Sequence, residues 1–310
     1  MEDYTMEEKL LYHYTSQEAI MNIVGENGIC LRFSHYDCLN DINEGKDAIK
    51  IQQEVCEELL GENEQNDKIL KEIYQVTPNF EVIMAPHAGK SHGCKRENGK
   101  MTASGSIEII QTGSIPYICC FSKGKDLLPM WNYYSKNQRY EGYNVGLQIK
   151  EGVIYSILDE KMEPIENPSI TLSFLDVIYN REEKRKIVKE EILNQIKNKD
   201  MIAYQRKFNE WSMAFKNEAF EHEDETRLIC FASKKNIEDE YFNKYVVKYR
   251  AANGMLIPYI DIQFEKALLK RITIGPLIEK EKAKETLQMY LQSKNYTDVN
   301  IRTSKVPIRY

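Results

Sequence analysis

The sequence predicts an α+β protein built on a mainly antiparallel, split sheet with helical insertions, and three observations carry that expectation. Short strand-like runs and amphipathic helical runs follow one another without regular β-α alternation, which disfavours a doubly wound sheet. With 310 residues, 42% of them hydrophobic, the chain can bury a substantial core as one domain over 1–310, with insertions at about 46–116 and 181–213. No internal repeat is visible, and neither G-x-G-x-x-G nor G-x-x-x-x-G-K-S/T occurs, so the usual phosphate-cradling loops are absent.

The elements follow in order. LYHYTS, Leu11 to Ser16, reads as a first strand, with a polar imidazole set between two tyrosines. Thr15 and Glu18 stand in capping-box spacing, and Ala19, Ile20, Ile23 and Val24 recur at helical intervals until Gly25 and Gly28 stop the helix. ICLRFS alternates as a second strand, and Asn40, Asp41 and Asn43 then mark a loop whose side chains can bond their own backbone. Residues 46–76 read as one or two charged amphipathic helices, clearest in IQQEVCEELL. The Gly-, Ser- and Lys-rich stretch 85–116 reads as a flexible excursion or an extra hairpin, followed by a short apolar strand, YICCFS.

DLLPMWNYYSKN opens a helix with Asp126 as candidate cap, Pro129 tolerable in the first turn, and Trp131 and Tyr134 on one face. NVGLQI is a further strand, and 181–213 a helix or helical pair rich in Lys, Glu and Ile. EHEDETRLICFA and KRITIG are strand-like, 280–293 is a basic amphipathic helix, and VNIRTS closes the chain as a last strand.

Composition limits the function. A net charge of −6 argues against broad adhesion to phosphate backbones, leaving nucleic acid only a local basic surface near the C-terminus, where several of the basic residues alternate with Glu on a helix. No run approaches the ~20 apolar residues that span a bilayer, and the acidic start MEDYTMEEK lacks a secretory pattern, so the expected location is the cytoplasm, with no membrane partner. Seven cysteines without a C-x-x-C pair suit reduced thiols that fill the core. His87, His92 and Cys94 could ligate a metal, but no fourth ligand is spaced nearby, and none is expected.

The strongest local signal is EHEDETR at 221–227. On a strand, Glu223, Glu225 and Arg227 share one face, and His222, Asp224 and Thr226 the other. Arg227 can simply neutralise the carboxylates as a sheet-surface ion pair worth about 0–1 kcal/mol. Alternatively, a carboxylate at the mouth of a cleft can steady a positively charged sugar transition state. Trp131, Tyr133 and Tyr134 suit either a core or a stacking platform, and His13 either a satisfied core position or a ligand contact.

The ordered motifs LYHYTS, LND with Glu44, CCFS, MWNYY, FKNEAFEHEDETRLI, ITIGP and TSKVPIR resemble the signature of a large bacterial family of unknown function. That signature also resembles the ADP-ribosyltransferase fold, with a histidine on the first strand, an aromatic on a later helix and a glutamate on a late strand. The resemblance implies an enzyme that uses NAD as substrate, modifying a macromolecule or hydrolysing NAD, in the role of a toxin or antiphage effector. It assigns Glu225 as catalytic carboxylate with Glu223 completing the pair, His13 to a ribose hydroxyl, the backbone of Tyr14 to the nicotinamide amide, and Tyr134 to the nicotinamide ring. Thr15, Ser122, Trp131 and Arg227 complete the implied NAD-binding set. The chain departs from these patterns in having Tyr14 where many transferases have glycine, Tyr133 where the bacterial family often has histidine, and LNDI in place of LNDP. Two rivals stand beside this reading: a non-catalytic nucleotide- or protein-binding module of a bacterial defence system, and a metal-dependent nuclease built on Asp41, Glu44, Glu223 and Glu225.

Overall fold

In a computed structural model, the described residues are 10–39, 45–61, 64–80, 95–97, 100–102, 114–135, 140–149, 154–165, 170–233, 246–252 and 254–308. Asn40, Asp41, Asn43 and Glu44 of the LND loop, and His87, His92 and Cys94, lie outside them. Thirteen strands among the described residues join one sheet. Its ladders are antiparallel except the pairing of β12 (Leu269–Ile274) with β13 (Asn300–Thr303), which is parallel.

The first strand, β1 (Leu11–Ser16), pairs along its length with β6 (Gly142–Leu147), which pairs in turn with β12. Ser16, not Thr15, caps helix α1 (Gln17–Ile23), its side chain accepting from the Ala19 amide. Gly28 then turns the chain into β2 (Ile29–His35) at φ +143°, and a Cβ there would collide with the Phe264 carbonyl. Gly28→Ala is therefore expected to cost about 2 kcal/mol through backbone strain, read from urea unfolding; an unchanged midpoint would refute this account of the turn.

The 85–116 stretch contributes a small hairpin, β3 (Lys95–Glu97) with β4 (Lys100–Thr102), that pairs onto β7 (Ile154–Leu158). β2 pairs with β11 (Met255–Phe264), which also carries β7 and β10 (Lys248–Ala252). Ile29, Leu31 and Phe33 alternate inward from β2 to the main core, joined there by Ile20 and Ile23 of α1 and by Leu287 and Leu291 of α7 (Lys280–Ser293).

The two insertions meet as a helical layer. α2 (Lys46–Leu59) and α3 (Glu64–Tyr74) pack on α5 (Arg181–Asn198) and α6 (Met201–Ala214) around Ile51, Val55, Val188, Ile192, Phe208 and Trp211. In α2 the buried residues fall at Ala48, Ile51, Gln52, Val55, Cys56 and Leu59, the spacing of one helical face. The ion pairs joining Arg181, Arg185 and Lys189 to Glu54 and Glu58 lie at the surface, where water screens them, and contribute little. Lys184 differs: it is buried, and its ammonium bonds Asp47 at 2.9 Å and the Lys216 carbonyl at 2.7 Å, tying the helical layer to the segment that leads into the sheet.

Candidate functional site

The sheet forks along β5 (Ser114–Ser122). One edge of β5 is paired throughout with β9 (Glu225–Ser233), whose other neighbour is β8 (Ile170–Asp176). Both β1 and β2 must therefore use the remaining edge. β1 meets it in the pair Tyr12–Ser122, and β2 in Ser34–Ile118 and His35–Tyr117. Between those points the strands diverge, and a cavity of about 800 Å³ opens, lined from β1, β2 and β5, from α4 (Leu128–Tyr134), and from Lys216, Glu223, Glu225 and Arg227. Its size falls in the range of small-molecule sites, about 300–1,000 Å³.

The acidic motif is built differently from the expected single strand. Glu218–Glu223 form a 3-10 turn, Asp224 takes a left-handed conformation at φ 44°, and the strand begins only at Glu225. The two glutamates still converge, because Lys216 stands between them. Its ammonium bonds Glu223 and, at 2.8 Å, Glu225 Oε2. Arg227, fully buried, donates Nε to Glu225 Oε1 at 2.9 Å and also bonds the Met213 carbonyl. The Tyr179 hydroxyl accepts from the Glu225 amide at 3.0 Å and fixes the start of the strand. The expectation of an exposed sheet-surface pair is thus corrected: the four charges form a neutral, buried network.

Burial alone would raise the Glu225 carboxyl, but Arg227, Lys216 and the Cys120 thiol together outweigh it and hold the group at about 2, so it is ionised throughout the neutral range. Burial pulls Lys216 down, and Glu225 and Glu223 pull it further up, so it stays charged. Sequence reasoning missed Lys216; the available signal was that two converging carboxylates beside one Arg leave a charge uncompensated.

His13 lines the cavity, packs edge-on to Phe121 at 5.7 Å and lies 3.0 Å through Nδ1 from the Cys120 carbonyl. A carbonyl only accepts, so Nδ1 carries the proton. Burial, opposed by that bond, lowers the imidazole pKa and keeps the ring neutral, which leaves Nε2 as its acceptor. The ring bridges β1 to β5 where the backbone ladder has parted. Thr15 and Ser122 are buried and line the cavity; Ser122 Oγ accepts from the Gly124 amide. The Tyr14 hydroxyl donates to the Gly124 carbonyl and accepts from the Leu127 amide, both at 2.9 Å, shaping the loop that launches α4.

Helix α4 separates the three aromatics. Tyr134 lines the cavity; burial and the nearby Glu223, Cys120 and Glu225 raise its phenol above the usual range. Tyr133 is half-exposed and rests on His222 with ring centroids 5.5 Å apart. Trp131 is outside the cavity lining, buried against Tyr14 at 4.9 Å and donating Nε1 to Asp126 at 2.7 Å. Asp126 is not the helix cap, a position held by Leu127 without a side-chain bond. It instead clasps the C-terminal tail, accepting from Ser304 Oγ at 2.6 Å and the Lys305 amide at 2.8 Å. Asp126→Ala strips the acceptor from buried Trp131 and frees that tail, so a loss of about 2 kcal/mol is expected in denaturant unfolding, and no loss would show the clasp to be idle.

Among the described residues, no group of His, Cys, Asp or Glu is placed to hold a metal, and the cysteines Cys30, Cys38, Cys56, Cys119, Cys120 and Cys230 are free thiols. Asp41 and Glu44 lie outside those residues, and Glu223 and Glu225 are already matched by Lys216 and Arg227. No helix among the described residues is long and apolar enough to cross a membrane.

Fold and site together define an α+β protein with a forked, largely antiparallel sheet whose fork encloses a ligand-sized cavity. A DUF2971 domain, the family described as a protein of unknown function, is found at residues 130–228, the stretch that brings Tyr134, Lys216, Glu223, Glu225 and Arg227 to that cavity. No curated protein and no solved structure matches the chain.

Proposed function

We propose that the chain is an ADP-ribosyltransferase-like enzyme that uses NAD, transferring ADP-ribose to a macromolecule or to water. The supporting observation is that His13, Tyr134 and an ionised Glu225 line one cavity in a forked antiparallel sheet. In this reading the nicotinamide ring lies against Tyr134 while His13 Nε2 accepts a hydrogen bond from a ribose hydroxyl. The C1′–N bond breaks, its electron pair leaving with neutral nicotinamide, and the positive charge that builds on the ribose is met by Glu225. An acceptor oxygen then supplies the pair for the new C1′–O bond and gives up its proton. The carboxylate interacts more strongly with the charged transition state than with bound NAD, which is what acceleration requires. A toxin or antiphage effector is the matching biological role.

The second reading is a binding module that holds a nucleotide or a protein without turnover. It is favoured by one observation: both Glu225 oxygens already accept from Lys216 and Arg227. Incubation of the purified protein with NAD separates the two. Nicotinamide release that depends on Glu225 supports the enzyme; NAD binding with no product after long incubation supports the module. Release that is equal in wild type and Glu225→Gln defeats the assignment of the catalytic carboxylate.

A further inference from the structure

The part of the cavity wall supplied by β2, β10 and β11 carries more positive charge than its carboxylate balances. Arg32 on β2 faces Asp261 on β11 in register, with Nε 3.4 Å from Oδ1. The other oxygen of Asp261 is taken by Lys248 at 3.1 Å, so this single buried carboxylate serves two cations. A third, Arg250 of β10, lines the same cavity, and its Nε is buried with no hydrogen-bond partner. Burial first, and then the like charge of Arg32, hold the Arg250 guanidinium below its usual range. Arg32 also lies over the Tyr259 ring at 3.8 Å, which fixes the plane of its guanidinium.

Two neighbouring guanidiniums, one with a buried unbonded N–H, repel each other and forgo a hydrogen bond, a cost that an oxyanion between them would remove. The excess is local, since the chain as a whole is acidic at −6. We propose that Arg32 and Arg250 form an anion subsite for the diphosphate of a small-molecule ligand whose remainder extends toward His13 and Tyr134. An anionic group answers the excess of Arg32 and Arg250 over Asp261, a carboxylate already shared with Lys248 behind the lining, and the cavity is large enough to hold it beside the Glu225 network. The subsite deepens the NAD reading, which supplies a diphosphate of this kind, but the surplus charge is present whatever the chemistry at Glu225.

Calorimetric titration of the full chain at low salt, with sodium pyrophosphate, ADP-ribose and adenosine as probes, tests it. Pyrophosphate and ADP-ribose are expected to bind wild type, adenosine far more weakly. Arg250→Gln and Arg32→Gln should each weaken both anions about tenfold or more, while Lys189→Gln on α5 changes neither. Thermal melts of the variants confirm that the loss is not unfolding. Failure of both anions to bind wild type, equal binding by the two arginine variants, or adenosine binding as tight as that of ADP-ribose overturns the subsite. Pyrophosphate bound with ADP-ribose refused overturns it as well, because a ligand with a remainder reaching toward His13 and Tyr134 then finds no place. Nicotinamide release is scored separately: its absence alongside arginine-dependent anion binding removes the NAD reading and leaves the subsite standing, whereas Glu225-dependent release with no arginine dependence does the reverse.

Discussion

Lys216→Met is expected to destabilise the protein by about 3–5 kcal/mol at neutral pH, because it leaves two buried carboxylates facing one arginine. Each glutamate is more than nine-tenths buried, so neither can recover its hydration by a rotamer change. Lys184 bonds the carbonyl of the same residue, and that contact survives the substitution, so the loss reports the ammonium alone. The pH profile gives a second readout. Glu225 sits at about 2 when folded against a reference value of 4.5, so its contribution is fully present above 4.5 and disappears as pH falls toward 2. Lys216 is raised above 10.5, so its contribution is present below that value and disappears as pH rises beyond it. Wild type should therefore lose on the order of 3 kcal/mol from Glu225 between pH 4.5 and 2, and the variant less over the same window, because Arg227 still holds its carboxyl down but the ammonium of Lys216 no longer adds to it. Urea midpoints at pH 7, 4 and 3 for both proteins check this. Parallel profiles would mean that Lys216 takes no part in holding Glu225 ionised.

Glu225→Gln is expected to lower nicotinamide release at least about a hundredfold, the scale on which a preorganised electrostatic group acts in a transition state. The substitution keeps the shape but sets an amide near Lys216 and Arg227, so stability also falls, and rates must be expressed per folded molecule. Glu223→Gln is the informative companion. It disturbs the same lysine while leaving the Arg227 contact with Glu225 in place, so a purely structural network would make the two variants equally poor. A large drop for Glu225→Gln with a small one for Glu223→Gln separates the reacting carboxylate from its support. Equal residual activity in both variants would refute the assignment.

Much of this architecture was legible in the letters where local signals agreed. The alternation of ICLRFS, and the helical spacing of Ala48, Ile51, Val55 and Leu59, express burial on one face and so survive folding unchanged, whereas LYHYTS forms its strand with both faces covered. The central strand β11 was harder to see, because Pro258 argues against a strand; the proline is accommodated opposite Tyr249 of β10 near the hairpin's outer end. EHEDETR misled through its clean alternation, since the left-handed Asp224 breaks the strand one residue before Glu225. Lys216 was hidden for a different reason. Its position depends on the short bridge between Ile178 and Phe215, a contact between distant segments that no local pattern encodes. The meeting of Arg32 with Arg250, more than two hundred positions apart, is hidden in the same way.

The parting of β1 from β2 along a common neighbour has a mechanical consequence. The β5–β9 ladder acts as a spine with two wings, one carrying β6 and β12, the other β11 and β7. Anything lodged in the gap touches both wings at once and works as a staple. Occupancy should therefore slow amide exchange in strands of both wings, well beyond the residues that the guest itself touches.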